Sequence, residues 1–339
     1  MNDIDIKKNL FDALDGKRVT KVPVASFTQT GIVDLMELSN ASWPLAHEDP
    51  HLMAELAMAA HDLIGFESVR VPYCVTVLAE ALGCDLMMGK ADKQPSVLSH
   101  PLSGLEKDLE VPERLLEIGR IPVVLDAIGK VRERMGEDVP IIAGFEGPCT
   151  LASDLIGAEK FLISFIKKPE YVASVIRSST EACIEYSNSL LEAGADIICV
   201  ADPVASPELI SPKIFESHVM ENLKNIAKCS KGRSVLHICG NVYKILDSMS
   251  RCGYDALSVE EKISDIGKAK ELISGRSRLV GNVACATTLF NGTPEDVKEE
   301  AMNAMKNGID VLAPGCGLAP KTPIENARAL IEARNDYYQ

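Results

Sequence analysis

The 339-residue sequence predicts an α/β fold, namely a single (β/α)8 TIM barrel that occupies residues 1–339 as one domain. Two observations predict it: eight short β-branched or apolar runs recur along the chain, and each is followed by a helical stretch. Several runs are almost entirely apolar, which is typical of parallel strands covered on both faces. A doubly wound sheet is the alternative for the same alternation.

The predicted elements begin with an N-terminal helix around residues 6–14, before the first strand. Each predicted strand is bounded by small or polar residues. The segment 80–117, after the second strand, contains repeated Gly and Pro and is expected to be an irregular excursion. The eight predicted strands are 22–27, 67–71, 139–145, 196–201, 234–239, 255–259, 278–283 and 309–314.

Several predicted helices begin with recognisable N-cap residues. Thr293-Pro294 and Thr322-Pro323 each pair an N-cap hydroxyl with proline at the first helical position. Glu325 lies three residues after Thr322, so the spacing predicts a capping box there.

The stretch His47-Glu48-Asp49-Pro50-His51 resembles the His-Glu-x-x-His zinc motif. That motif needs a continuous helix, and Pro50 cannot lie inside one. The sequence therefore predicts a helix that begins at Pro50 with Asp49 as its cap, and no metal site.

Charge and hydropathy exclude several classes of partner. The chain has 35 Lys and Arg against 49 Asp and Glu, a net charge of −14, and no basic run. Binding to nucleic acid or to an anionic membrane surface is therefore not expected. No apolar run reaches the length of a membrane span, and the first residues lack the apolar core of a signal peptide. The ten cysteines are expected to be reduced, in the cytoplasm.

Candidate site residues lie at the carboxyl ends of the predicted strands, where TIM barrels carry their active sites. Alternate residues of a strand share a face, so His237 and Cys239 are expected to point the same way. Cys316 follows the last strand between two glycines. One His and two Cys suit Zn²⁺, and a set of three leaves one position for a further ligand. Glu260, or its neighbour Glu261, is the candidate for that position.

Other strand-end residues have two interpretations each. Glu146 and Asp202 either act in the site or cap the following helix. Arg70 either binds an anionic group or pairs with a neighbouring acid. The remaining cysteines are expected to be small buried residues without a chemical role.

The motifs along the whole chain resemble the uroporphyrinogen decarboxylase superfamily. Within it they resemble the methylcobamide:coenzyme M methyltransferases of methanogens, most closely the methanol-pathway type and next the methylamine-pathway type. The segments that carry the resemblance are 27–31, 69–73, 146–153, 201–206, 236–241, 258–261 and 313–317.

The resemblance implies a TIM barrel with one zinc ion held by His237, Cys239 and Cys316, with Glu260 as an exchangeable fourth ligand. It implies methyl transfer to the thiol of coenzyme M from a methyl-Co(III) corrinoid (a cobamide) carried by a partner protein, in methanogenesis from methanol. Glu260, Asp202 and Glu146 are the expected catalytic residues. Arg70, Gln29 and Asn282 are the expected substrate contacts.

Other activities remain open at this point. The methylamine pathway, or another thiol such as homocysteine, would use the same chemistry. A zinc ion with a purely structural role, in a partner of the corrinoid protein, is a further possibility. A metal-free decarboxylase is disfavoured, because residues 26–31 contain no arginine to hold substrate carboxylates.

Overall fold

The computed structural model describes residues 4–104 and 107–339. A curved parallel sheet dominates it, and its strands are hydrogen-bonded in chain order. A separate antiparallel pair is formed by Leu86–Met87 (β2) and Ser96–Val97 (β3). The strands of the parallel sheet are Val69–Val71 (β1), Ile141–Glu146 (β4), Ile197–Ala201 (β5), Arg233–His237 (β6), Ala256–Val259 (β7), Arg278–Val283 (β8) and Val311–Pro314 (β9).

Helices follow the strands of the sheet and cover its outer face. The α-helices of the described residues are Ile6–Leu14 (α1), Val33–Ser39 (α2), Pro50–Ala59 (α3), Val77–Ala81 (α4), Ile121–Met135 (α5), Pro148–Ile156 (α6), Ala158–Lys167 (α7), Pro169–Glu192 (α8), Pro212–Ile214 (α9), Met220–Cys229 (α10), Leu246–Ser250 (α11), Ile266–Ile273 (α12), Pro294–Lys306 (α13) and Ile324–Tyr337 (α14). Short 3₁₀ segments are Leu45–His47, Leu115–Glu117, Pro203–Ala205 and Val242–Lys244, and π-helical segments are Ala60–Ile64, Phe215–Val219 and Cys285–Phe290.

The first predicted strand, 22–27, is reduced to a single bridge between Val24 and Leu312 of β9. Pro23 has no N–H to donate, which limits the ladder. On its other side Val24 accepts a hydrogen bond from the Glu67 N–H at 2.8 Å, but its own N–H goes to the Glu67 carboxylate at 3.0 Å. That carboxylate also forms a buried ion pair with Arg334, 2.8 Å long. The segment therefore links the two edges of the sheet and makes it TIM-barrel-like.

The other seven predicted strands are present, with ends that differ by at most two residues. The excursion over 80–117 is largely irregular, as predicted, apart from the end of α4, the β2–β3 pair and the 3₁₀ segment Leu115–Glu117. Residues 105 and 106 lie outside the described residues. Helix α3 begins at Pro50, and Asp49 accepts from the N–H groups of His51 and Leu52, which confirms that prediction.

The capping box predicted at Thr322 is wrong. Helix α14 begins at Ile324, whose N–H donates to the Asp34 carboxylate at 2.9 Å, and the Thr322 hydroxyl is buried without a partner. Thr293 is the N-cap of α13 with Pro294 in the first turn, as predicted, and it forms a capping box with Asp296.

The interior of the barrel is apolar at one end and polar at the other. Leu10 and Leu14 of α1 belong to the same cluster as Ile197 and Val235, which face inward from β5 and β6. His237 lies two residues beyond Val235 and faces the same interior at the carboxyl end of β6. The fold thus closes the amino end with a helix and leaves side chains of functional type at the carboxyl end. No helix in the described part of the chain combines the length and apolar character needed to cross a bilayer.

Candidate functional site

Four candidate ligands converge at the carboxyl ends of three strands. One nitrogen, two sulfurs and one carboxylate oxygen, from His237, Cys239, Cys316 and Glu260, all lie within 4.8 Å of one another. His237 ends β6, Glu260 directly follows β7, and Cys316 lies two residues after β9. Glu261, the alternative to Glu260, is outside this group. Strand direction and barrel curvature therefore bring distant parts of the chain to one point.

The separations between these atoms match a tetrahedral zinc site. Nε2 of His237 lies 3.2 Å from Sγ of Cys239 and 3.5 Å from Sγ of Cys316, and the two sulfurs are 3.8 Å apart. Tetrahedral zinc with Zn–S near 2.3 Å and Zn–N near 2.0–2.1 Å requires about 3.8 Å between sulfurs and about 3.5 Å between sulfur and nitrogen. The separation between the sulfurs and that between Nε2 and the Cys316 sulfur have these values, the separation to the Cys239 sulfur is slightly shorter, and the donor set suits Zn²⁺.

The ligands modify one another's acidity. A hydrogen bond from Cys239, together with the imidazole of His237, lowers the pKa of Cys316. The same hydrogen bond raises the pKa of Cys239. Burial opposes the charged form of His237, but the neighbouring Cys316 sulfur raises the pKa of that imidazole. The site is thus arranged around negative charge on sulfur, which is the form that binds a metal.

A cavity of about 230 Å³ opens beside the cluster. His237, Cys239 and Cys316 line it, together with Arg70 and Thr28. A molecule in this cavity could therefore reach the candidate metal position and the arginine at the same time. The volume suits a small ligand.

Arg70 is a buried cation without a counter-charge. It is 3% exposed, its Nε donates to the Phe27 carbonyl at 3.3 Å, and its Nη1 has no hydrogen-bond partner. No ion pair joins it to a carboxylate of the described residues. Burial lowers the pKa of this guanidinium, although arginine stays charged at neutral pH. The Thr28 hydroxyl is likewise buried without a partner. Buried polar groups are normally satisfied, so these donors are available to an anionic ligand.

Known proteins share this architecture over the full chain. A model of the uroporphyrinogen decarboxylase (URO-D) family matches residues 5–337. The chain is 51% identical over 338 residues to the methylcobamide:CoM methyltransferase MtaA of Methanosarcina barkeri, covering 100% of both chains. It is 36% identical over 340 residues to the methylcobamide:CoM methyltransferase MtbA of Methanosarcina mazei, covering 99% of both.

The chain belongs to the methylcobamide:CoM methyltransferases of the uroporphyrinogen decarboxylase family. A solved structure of a methyltransferase from Methanosarcina mazei superposes with a TM-score of 0.97 at 51% identity, covering 99% of this chain and 100% of that one. The fold of this methyltransferase is therefore that of its family.

Glu146 and Asp202 of this methyltransferase lie at helix starts and do not line the cavity. One oxygen of Glu146 accepts from the Ala79 N–H at 3.0 Å, near the start of α4, and the other has no partner. Asp202 accepts from the N–H groups of Cys149 and Thr150 and from the Thr150 hydroxyl, at the start of α6. Burial raises the pKa of Glu146 to about 7 and that of Asp202 to about 6. Both carboxylates therefore cap helices rather than line the cavity, but the capped helices precede them in the chain, so the prediction that they cap the following helix is wrong in that respect.

The two amide side chains expected to contact substrate are bonded to the protein backbone. Gln29 lines the cavity, but its amide donates to the Leu318 carbonyl and accepts from the Gly31 N–H at 2.7 Å. The Asn282 amide donates to the Ile263 carbonyl at 2.9 Å and does not line the cavity. Both side chains thus hold loops at the mouth of the barrel.

Two residues that contact the ligands were missed at the level of sequence. The Ser258 hydroxyl lies 3.1 Å from Nδ1 of His237. The Cys285 thiol is bonded to the backbone of Cys316. Ser258 is two residues before Glu260 on β7, so strand alternation could have found it. Nothing in the local sequence distinguishes Cys285 from the other cysteines.

Proposed function

We propose that this methyltransferase uses zinc, bound by His237, Cys239, Cys316 and Glu260, to methylate the thiol of coenzyme M. The methyl donor is a methyl-Co(III) corrinoid carried by a separate protein, and the products are methyl-coenzyme M and a Co(I) corrinoid. The observation that carries the proposal is the match between the N···S and S···S separations and those of tetrahedral zinc.

Zinc bound here would lower the pKa of a thiol ligand, so that the thiol is present as the nucleophilic thiolate at neutral pH. Among the four donors, Glu260 is the only carboxylate and the poorest match for a soft, sulfur-rich site. Glu260 is therefore the donor that yields its position to the substrate thiol.

Arg70 supplies the second point of attachment. Coenzyme M carries a sulfonate two carbons from its thiol, and Nη1 of Arg70 is an unpaired buried donor in the wall of the same cavity. Charge-assisted hydrogen bonds to a buried guanidinium are strong and directional. Arg70 binds the sulfonate, with the Thr28 hydroxyl as a further donor, and so orients the thiol toward the zinc ligands.

The corrinoid ring is much larger than the 230 Å³ cavity. Only its methyl-bearing face can approach, so the corrinoid protein docks over the mouth of the barrel. Glu146 and Asp202 contribute indirectly, because their carboxylates fix the first turns of α4 and α6 near the mouth of the barrel. Because the site needs reduced thiolates, we place the reaction in the cytoplasm.

The greater identity to the MtaA relative, 51% against 36% for MtbA, supports the methanol pathway for this chain. The test is to compare activity with the corrinoid protein of the methanol pathway and with that of the methylamine pathway. Faster turnover with the latter contradicts the assignment and leaves the chemistry intact.

Zinc content and an X-ray absorption spectrum at the zinc edge test the chemistry. We expect about one zinc per chain and the gain of one sulfur scatterer when coenzyme M is added. Cys239→Ala and Cys316→Ala should lose zinc and methyl transfer, whereas replacement of the exposed Cys229 by Ala should change neither. A purified enzyme that is active without zinc refutes the proposal.

A further inference from the structure

Cys285 is a non-ligand thiol that contacts a residue of the candidate metal centre directly. It begins the π-helical segment after β8, and its Sγ lies 3.1 Å from the Cys316 carbonyl oxygen. The Cys316 N–H donates back to the same sulfur at 3.2 Å. One thiol thus binds both peptide groups of a metal ligand.

The loop around Cys316 requires hydrogen bonds of this kind to fix its backbone. Cys316 lies between Gly315 and Gly317, residues that restrict the backbone least. Gly315 is held by its N–H, which donates to the Val283 carbonyl at 2.8 Å. The bonds to Cys285 are the ones that fix the ligand residue itself.

Cys285 is not a third sulfur ligand in this geometry. The group of mutually close donor atoms consists of His237, Cys239, Glu260 and Cys316. The S–H of Cys285 is directed to the Cys316 carbonyl oxygen, so its proton is engaged in that hydrogen bond. A protonated thiol is a poor metal ligand.

We infer that Cys285 is a positioning residue for the metal centre, whose thiol holds Cys316 where its sulfur completes the site. The inference rests on the proposed zinc site and deepens it. Outer-shell partners of metal ligands typically contribute 10- to 100-fold in metal affinity. Removing the thiol should therefore weaken metal binding by about that factor without removing a ligand.

The test titrates the metal-free full-length protein with Co²⁺ and follows the sulfur-to-cobalt charge-transfer band, with Zn²⁺ affinity measured by competition. Cys285→Ala should bind both metals about 10- to 100-fold more weakly, yet reach the band intensity of two thiolates at saturation. Cys285→Ser should restore most of the affinity, because a hydroxyl also donates and accepts.

Cys252 provides a matched control. It is also buried, and its S–H donates to backbone carbonyls, but of Ser248 and Met220. Cys252→Ala should lower the thermal stability of the metal-free protein and leave Co²⁺ affinity unchanged.

The outcomes separate this inference from the proposed function. A wild-type protein that binds neither metal refutes the zinc site itself. Unchanged affinity in Cys285→Ala, or equal losses in the Ala and Ser variants, overturns only the positioning role. A one-thiolate fall in saturated intensity would make Cys285 a ligand and also overturns it. If Cys285→Ala does not fold, Cys285→Ser decides: a loss of affinity above about 10-fold contradicts the inference.

Discussion

The guanidinium of Arg70 occupies the space that a side chain at position 144 would need. A Cβ atom on Gly144 would lie 1.9 Å from Nη2 of Arg70 and 2.5 Å from its Cζ. Gly144 lies in the middle of β4, where an apolar β-branched residue would be ordinary. The absence of a side chain there is what admits a long cation to the interior of the barrel.

Gly144→Ala should therefore displace Arg70 and weaken coenzyme M binding. We expect the KM for coenzyme M to rise about 10-fold and stability to fall by about 1–3 kcal/mol from overpacking. Zinc content should stay at the wild-type level. Steady-state kinetics and thermal unfolding check this. Gly129→Ala is the control, since a Cβ there meets nothing within 4 Å and α5 favours alanine. An unchanged KM in Gly144→Ala contradicts the role of Arg70.

Arg70→Gln should reduce discrimination between anionic and neutral thiols. Loss of a charged hydrogen bond of about 1.5–3 kcal/mol predicts a 10- to 150-fold lower kcat/KM with coenzyme M. With 2-mercaptoethanol, which has no sulfonate, the change should be small. Measuring kcat/KM for methyl transfer to each thiol gives the discrimination ratio of each variant. Equal losses with both would show that Arg70 serves the structure rather than the sulfonate.

Ser258→Ala should weaken zinc binding through His237. The Ser258 hydroxyl is bonded to Nδ1, which turns Nε2 toward the two sulfurs. Partners of this kind contribute about 10-fold or more in metal affinity. Competition with a chromophoric chelator measures it, and Ser258→Thr, which keeps the hydroxyl, should retain most of the affinity. Identical zinc affinities in the wild type and Ser258→Ala would contradict this orientation.

Glu146→Gln should change how stability depends on pH. Burial raises the pKa of Glu146 from an ordinary 4.5 to about 7, so the folded protein keeps a proton that the unfolded chain releases. Its contribution to stability is full below about pH 4.5 and is lost as the pH rises to about 7, at up to about 1.4 kcal/mol per unit. Glutamine mimics the protonated acid, so the stability of the variant should increase relative to that of the wild type as the pH rises across that range. Denaturant unfolding between pH 4.5 and 8 tests it, and parallel curves would count against the prediction.

Cys74→Ser should change the pH dependence of stability in the opposite direction. Burial alone would raise the pKa of the Cys74 thiol, but Arg120, whose Nη1 lies 3.3 Å from Sγ, and His47 lower it to about 5. The thiolate therefore stabilises the fold above pH 9, and that contribution is lost as the pH falls through about 5, by up to about 1.4 kcal/mol per unit.

Cys74→Ser should thus lose less stability than the wild type between pH 9 and 5. The ultraviolet absorbance of one thiolate should also be missing from the variant at pH 7. The buried Cys149, which has no arginine partner in the described residues, provides the comparison: burial keeps it protonated. Equal thiolate absorbance in the wild type and Cys74→Ser would refute this charge state.

Most of the sheet could be predicted because parallel strands are buried on both faces and so appear as apolar runs. The candidate metal ligands could be predicted for a related reason, since His237 and Cys239 alternate along one strand direction and Cys316 follows another strand. In each case the signal lies within a few residues of the chain.

The features that sequence reasoning missed depend on partners far along the chain. The cap of α14 comes from Asp34, and the Val24 N–H pairs with the Glu67 carboxylate rather than with a strand. Likewise, whether Asp202 faces a cavity or a helix start depends on how α6 packs, and no local pattern encodes that. Cys74 was expected to be inert because its partner, Arg120, lies 46 residues away.

The bridge between Val24 and Leu312 also sets an order of events during synthesis. In a nascent chain that ends before β9, the first extended segment can bond to Glu67 but has no Leu312 to pair with, so the barrel stays open. His237, Cys239 and Glu260 emerge from the ribosome well before Cys316, and without the second sulfur the proposed zinc site is incomplete. For the proposed zinc site, metal loading would therefore follow translation of the last strand, and truncated products should leave the ribosome without zinc.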